Sequence, residues 1–298
     1  MTLRHLKIFV AVCDCGGVTR AARRLYLAQP AVSLAIHELE QYYGVPLFER
    51  LSRRLYITPE GERLLSLARQ ITALFGEAER TVHGDGLGRV HIGSSVTIGT
   101  CLMPGYVRAF EERYPGTRVQ VTIENSGTLE ERLLQNGIDF ALIEGVVHTP
   151  QIEAEPFLDD ELTLVCPPGH PFALRGRATL QELGNERWLL RERGSGTREL
   201  FDSALLTKGL RLEPMWESIN TRSIVNAVRT GLGVSVLPAA LLRQDFARGT
   251  LVRVPIEGLD LRRKFQLLRH RSKALSGAAQ AFIALVRELG AAPMDDFR

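Results

Sequence analysis

Residues 17–50 read GVTRAARRLYLAQPAVSLAIHELEQYYGVPLFER. The stretch spells two short helices joined by a tight turn. Thr19 can cap the first, which runs through Ala21, Ala22, Arg23, Arg24 and Leu25. Its paired alanines allow close helix packing. The turn falls near 27–29, and Pro30 suits the first turn of the next helix, where a missing N–H costs nothing. In that helix Val32, Ile36, Leu39 and Tyr43 form one apolar stripe at helical spacing. The opposite face carries Ser33, Leu34, His37 and Gln41, with Gln29 and Pro30 at its tip. Gln and Ser can bond base edges or phosphates, and Pro30 and Leu34 can touch thymine methyls. Such a pair of helices lays its second member in the DNA major groove. The alternative is an ordinary helical hairpin with a polar outer face.

The flanking residues extend this reading. Leu3, Leu6, Phe9, Val10 and Cys13 share one face of a first helix over 2–14. Residues 47–50 and 53–58 are short, β-leaning and basic where they join, a two-stranded wing with Arg50, Arg53 and Arg54 near the phosphates. Residues 1–60 hold eight Lys and Arg against five acids, with the positive charges gathered at 20–24 and 50–54. Thr19 and Arg20 therefore join the DNA-contacting set. Thr58 then caps a helix that opens with Pro59. Along 60–82, Leu64, Ala68, Ile71, Phe75, Ala78 and Val82 step by four and three, a heptad seam widened by Leu67 and Leu74. This pattern suits pairing with a second copy; docking on its own domain is the alternative. The run Gly84-Asp85-Gly86-Leu87-Gly88 breaks the pattern and reads as a hinge.

These residues resemble the winged helix-turn-helix of LysR-type transcriptional regulators. The resemblance is carried by Phe9, Thr19, Ala21-Ala22, Leu25, Gln29-Pro30-Ala31, Ser33, Ile36, Leu39-Glu40, Gly44, Pro46-Leu47-Phe48, Arg50 and Thr58-Pro59-Glu60-Gly61. The departures are Gly17 in place of Ser, Leu34-Ala35 in place of a basic residue and Gln, and His37-Glu38 in place of further basic residues. A missing Arg removes a guanine or phosphate contact, so affinity is expected to lean on the wing and on oligomerisation. The resemblance implies dimerisation through the linker helix, a tetramer that bends promoter DNA, and RNA polymerase as a partner.

The remaining chain alternates β and α patterns. Strands are predicted at 90–93, 118–123, 140–143, 162–166, 188–190, 215–218, 234–236 and 265–268. Helices are predicted at 103–114, 129–136, 198–208, 223–229 and 276–289. The part from Arg89 on resembles the LysR effector domain, a two-lobed α/β fold of periplasmic-binding-protein type with a ligand cleft. Its marks are Gly93, Leu102-Met103-Pro104, Phe110, Tyr114-Pro115, Gly137-Ile138-Asp139, His170-Pro171 and Gly231-Leu232-Gly233-Val234. The expected organisation is an α/β chain in three parts. Residues 1–59 form the all-α winged helix-turn-helix and 60–88 the linker helix and hinge. Residues 89–298 form the effector domain, with lobe 1 at about 89–162 and 267–298 and lobe 2 at about 163–266.

The cleft residues follow from strand ends. Ser94, Ser95 and Thr97 follow the first strand, Ser126 and Thr128 the second, and Asn220 and Thr221 a later one. Gly194-Ser195-Gly196-Thr197-Arg198 follows a strand and opens a helix, where two glycines let the backbone curl around an anion. Plain helix capping is the alternative for each. Their convergence points to a small anionic effector, a carboxylate or inorganic oxyanion. The GSGTR run is similar to a branch of the family that senses small anions in sulfur or carbon assimilation. Arg222 can adjust the charge of the cleft or be a surface cation.

Other classes fare worse. The four cysteines make no C-x-x-C pair and no zinc spacing, so buried free thiols are expected and no metal or cofactor. No apolar run approaches the ~20 residues that span a membrane, and the Ile8–Cys13 run is too short for a signal core, so a cytoplasmic protein is expected. Dinucleotide, P-loop and nucleophile-elbow motifs are missing, and His170 has no evident triad partners. Asp159-Asp160-Glu161 reads as solvated surface. An anion-handling enzyme or a solute-binding protein without a DNA role remains the rival reading.

Overall fold

The computed structural model describes residues 1–51, 54–82 and 87–290. They form two compact units that meet in sequence between Gly88 and Arg89. In the first, α1 (Leu3–Cys15), α2 (Val18–Leu25) and α3 (Gln29–Tyr43) precede β1 (Phe48–Leu51), β2 (Arg54–Ile57) and α4 (Pro59–Val82). Gly16 and Gly44 end α1 and α3 in the left-handed conformation, which glycine adopts without strain. The start of α2 departs from expectation. Gly17, not Thr19, takes the capping position, because the Gly17 carbonyl already accepts the Ala21 N–H at 3.1 Å.

Phe9, Val12, Ala21, Ala22, Val32, Ile36 and Leu39 make the core of this unit. Tyr43 leaves the expected stripe: it sits in the last turn of α3, exposed, edge-on to Tyr42. Glu40 Oε1 accepts the backbone N–H of Leu47 and of Phe48 at 2.9 and 3.2 Å, which fixes how the chain enters β1. Thr58 Oγ1 accepts the Gly61 N–H at 3.0 Å and donates to the Pro46 carbonyl at 2.8 Å, so it caps α4 and ties it to the hairpin. The heptad seam of α4 divides. Leu64, Leu65 and Ala68 pack on the core of the unit, while Leu67, Ile71, Leu74 and Phe75 are exposed.

The second unit contains β3 (Arg89–Ser94), α5 (Val96–Cys101), α6 (Met103–Arg113), β4 (Arg118–Ile123), α7 (Ser126–Leu134) and β5 (Phe140–Glu144). The long β6 (Ile152–Cys166) leads to α8 (Pro171–Arg175), α9 (Leu180–Leu183), β7 (Trp188–Arg191), α10 (Gly196–Leu206), β8 (Pro214–Ser218) and α11 (Thr221–Arg229). Then come β9 (Ser235–Pro238), α12 (Arg243–Ala247), β10 (Val252–Val254), β11 (Arg262–His270) and α13 (Gly277–Gly290).

In lobe 1, β3 lies between β4 and β5 and is parallel to both; β11 pairs antiparallel with β5 and with the first part of β6. In lobe 2 the rest of β6 pairs with β9 and β10, while β7 is parallel to β8 and bridges to Val234. The two lobes are joined by an antiparallel ribbon of 159–161 against 262–264. The crossings expected near 163 and 266 lie two residues beyond its two chains.

The first half of β6 escaped the periodicity because its outer positions are acidic. Glu153, Asp159 and Glu155 are matched by Arg269 at 2.9 Å, Lys264 at 3.2 Å and Arg287 at 2.5 Å, so the strand is held by charge on its wet face. The Asp159-Asp160-Glu161 cluster is likewise not all surface. Asp160 is buried and held by Arg263, whose Nε donates to it at 2.7 Å. Burial pushes the Asp160 carboxyl above its ordinary value, against the pull of Arg263.

Candidate functional site

On the first unit the reading face of α3 is built as its sequence implies. Gln29, Pro30 and His37 are exposed, Ser33 is half-buried, and Leu34 is 55% exposed at the centre of the face. Ala35 is buried and belongs to the core instead. The polar groups are paired within the helix: Gln29 Nε2 donates to Ser33 Oγ at 2.9 Å, and Gln41 meets His37 at 3.0 Å. Glu38 is held by His5 at 2.6 Å. Thr19 and Arg20 are exposed near the start of α2, and Arg20 donates to the Gly16 carbonyl at 2.7 Å. Arg50 and Arg54 stand on β1 and β2; Arg53 lies outside the described residues. Sequence reasoning passed over Tyr26, which at φ +55 closes α2 and is almost wholly exposed.

On the second unit, topology selects the crevice. In an open parallel sheet the ligand site lies beyond the carboxyl ends of the strands where strand order reverses. In lobe 1 that strand is β3, flanked by β4 and β5; in lobe 2 it is β7, between β8 and the Val234 bridge. Ser94, Asn125, Glu144, Glu192 and Asn220 therefore all stand at one junction. A cavity of about 680 Å³ opens there, and Val96, Thr100, Asn125, Thr128, Glu192, Asn220, Thr221 and Arg222 line it. The carboxylates at its wall are neutralised: Arg132 binds Glu124 at 2.5 and 2.6 Å, and Arg191 binds Glu192 at 2.9 and 3.0 Å. The Arg132 bond holds the Glu124 carboxyl below its ordinary value.

The predicted cleft residues divide into two groups. Thr128, Asn220 and Thr221 face the cavity. Ser94, Ser95, Thr97, Ser126, Ser195, Gly196 and Thr197 are buried at the junction. Many of their hydroxyls are spent on the protein, as the capping alternative requires. Thr128 N and Oγ1 both donate to Asn125 Oδ1 at 2.9 Å; Asn220 Oδ1 accepts from Arg222 N at 2.9 Å. Thr221 and Thr197 accept from Arg191 at 3.3 Å and Arg263 at 3.2 Å. What Asn125 and Asn220 retain for a ligand is their amide N–H groups. Arg198 does not add charge to the cleft. It is buried along α10, bonded to Asp202 at 2.7 Å, the Arg191 carbonyl at 3.1 Å and Glu217 at 3.2 Å.

Glycines let the lobes touch. Gly127 N–H donates to the Gly194 carbonyl at 3.2 Å, with Gly194 at φ +85. Glu144, at the end of β5, sits against Gly196 at the start of α10. His148 bonds Glu199 at 2.7 Å across the same junction, which raises the His148 pKa. The sequence reading missed Glu144 because it followed the ends of β3 and β4 and not that of β5. A charged residue directly after the apolar run 140–143 was the available signal.

Among the described residues, no cluster of three His, Cys, Asp or Glu side chains could hold a metal. No described helix is long and apolar enough to cross a membrane. All four cysteines are free, and burial pushes Cys13 up to about 12 and Cys101 and Cys166 to about 11, so these three stay protonated at neutral pH.

Residues 3–62 match the family model of the bacterial regulatory helix-turn-helix protein, lysR family, and residues 83–291 match the LysR substrate binding domain. The chain belongs to the LysR family. It is a DNA-binding, ligand-responsive transcription regulator with an N-terminal helix-turn-helix and an α/β effector domain. It is 36% identical to the HTH-type transcriptional regulator YeiE of Escherichia coli K12, over 95% of this chain and 96% of that protein. Its fold is similar to full-length OxyR of Pseudomonas aeruginosa, with a TM-score of 0.74 at 22% identity, covering 99% of this chain and 96% of that one. It is similar too to the regulatory domain of Synechocystis CcmR, solved in complex with 2-PG, with a TM-score of 0.64 at 24% identity over 68% and 98% of the two chains.

Proposed function

We propose that this LysR regulator binds promoter DNA as a dimer or tetramer and senses a small anion in the cleft between its effector lobes. The observation that carries the anion is the convergence, on one cavity, of the amide N–H groups of Asn125 and Asn220 and the side chain of Arg222, which also meets Asp245 at 3.6 Å, with both wall carboxylates already neutralised. The glycine-hinged contact at Gly194–Gly127 supports a cleft that opens and closes around the ligand. Pairing through the exposed Leu67, Ile71, Leu74 and Phe75 of α4 sets two reading helices on two half-sites. Thr19, Arg20, Gln29, Pro30, Ser33, Leu34, His37, Arg50, Arg53 and Arg54 contact DNA. The protein works in the cytoplasm, contacts RNA polymerase at the promoter, and uses no catalysis, metal or cofactor.

The test is a thermal-shift screen of small carboxylates and oxyanions on the full chain, followed by a DNA footprint with and without the hit. A ligand at a hundred times its Kd adds about 2.7 kcal/mol of stability. A hit that raises the melting temperature in the wild type and not in Arg222→Ala supports the cleft. The reading fails if no anion shifts melting, or if no promoter DNA is protected under any condition.

A further inference from the structure

The anion that Ser95 and Thr97 hold in this structure is the protein's own. Ser95 Oγ donates to Glu144 Oε2, and Thr97 Oγ1 donates to Glu144 Oε1 at 2.7 Å. Ser126 Oγ fixes the same residue through its backbone carbonyl at 2.7 Å. Glu144 is 2% exposed and ends β5, which flanks β3 at the crevice. Residues 95 and 97 flank Val96, which lines the cavity. Facing it from lobe 2 is the start of α10, where the Ser195 hydroxyl is buried and has no bonding partner among the described residues.

We infer that Glu144 is the specificity-determining residue of the effector cleft, admitting oxyanions that carry a hydrogen of their own and rejecting those that carry none. This rests on the anionic-effector reading above. A carboxylate has about four acceptor positions, and the two hydroxyls use two. The remainder can only accept. A ligand bringing an O–H donates to Glu144 and turns its other oxygens to Ser195, the α10 start and the asparagine amides. A fully ionised anion of the same shape sets lone pairs and negative charge against a buried carboxylate, with no proton between them. Sites that require a donor discriminate strongly against analogues lacking it, because a buried acceptor is left unpaired.

Inorganic phosphate and sulfate make the test, since they share a shape and at pH 7 only phosphate carries a proton. Calorimetric titration of the full chain is expected to show phosphate binding at least about a hundredfold tighter than sulfate. In Glu144→Gln, whose amide can donate, sulfate binding is expected to rise until the two differ by less than about tenfold. Melting curves confirm that the variant is folded; if it is not, the wild-type ratio alone decides. Equal binding of both anions by the wild type, lost in Arg222→Ala, would overturn the role of Glu144 and leave the anion cleft standing. An unchanged ratio in a folded Glu144→Gln overturns it as well. No binding of either anion by either protein overturns the role of Glu144, while the anion cleft is decided by the wider screen of carboxylates and oxyanions.

Discussion

Gly196→Ala is the sharpest probe of how the lobes meet. A Cβ built on Gly196 falls 2.6 Å from the Glu144 carbonyl carbon and nearer still to its oxygen. Carbon atoms pack at about 3.5–4.0 Å, so the two lobes must part by about 1 Å. The strain is not conformational, since only the space around Gly196 is lacking and its φ lies outside the left-handed region. Overpacking of this kind costs about 1–3 kcal/mol, or roughly 5- to 150-fold against closure. The cost falls on the closed arrangement alone, because Gly196 is in lobe 2 and Glu144 in lobe 1. The reporter is the Gly127 amide, which bonds the Gly194 carbonyl across the junction at 3.2 Å. Its hydrogen-exchange protection is expected to fall by that factor, while amides within β3 keep theirs. Ser203→Ala, further along the same helix, serves as the control. Unchanged protection at Gly127 in a folded Gly196→Ala would refute the closure argument.

Four further outcomes follow from the geometry. Thr58→Ala removes the α4 cap and is expected to cost about 1 kcal/mol, read as an earlier thermal transition of the DNA-binding unit. Arg263→Ala leaves Asp160 buried and unpaired and is expected to cost about 3–5 kcal/mol in urea unfolding, whereas a paired Asp160→Leu/Arg263→Met exchange costs much less. His148, with its pKa raised by Glu199, lends closure its full support below the ordinary His value; that support fades as pH rises through the raised value, and His148→Asn should flatten the dependence of Gly127 protection on pH. Leu34→Arg restores a cation to the centre of the reading face, so a salt titration of promoter binding is expected to steepen by about one unit of slope, and an unchanged slope would remove Leu34 from the interface.

The sequence made the fold legible wherever one periodicity dominated. The α3 stripe of Val32, Ile36 and Leu39 and the apolar run 140–143 both lie in cores. It failed where charge does the work of apolar contact. The first half of β6 alternates with glutamates whose partners, Arg269 and Arg287, lie more than a hundred residues away. The three-residue β10 is too short to show a period. The cleft was half legible. Hydroxyls after strands mark helix starts, and Thr128, Asn220 and Thr221 do reach the cavity. Which hydroxyls are already spent is a property of distant partners, and Glu144, Arg191 and Arg263 decide it.

That division bears on how a ligand can act. The polar contacts that cross between the lobes are few: the Gly127 amide on the Gly194 carbonyl, His148 on Glu199, and the close approach of Gly196 to Glu144 and Gly145. Hydrogen bonds exchanged with water contribute about 1 kcal/mol each, so these polar contacts contribute a few kcal/mol at most. The cores within each lobe, built on Phe110, Phe140 and Phe282 in one and Trp188 and Phe201 in the other, are far costlier to disturb. A small ligand that prefers the closed cleft by a hundredfold gains about 2.7 kcal/mol and can move the junction while both lobes keep their shape. That gain is of the same order as the polar contacts at Gly127, Gly194 and His148, so an effector acting on the cleft competes with them and not with the cores.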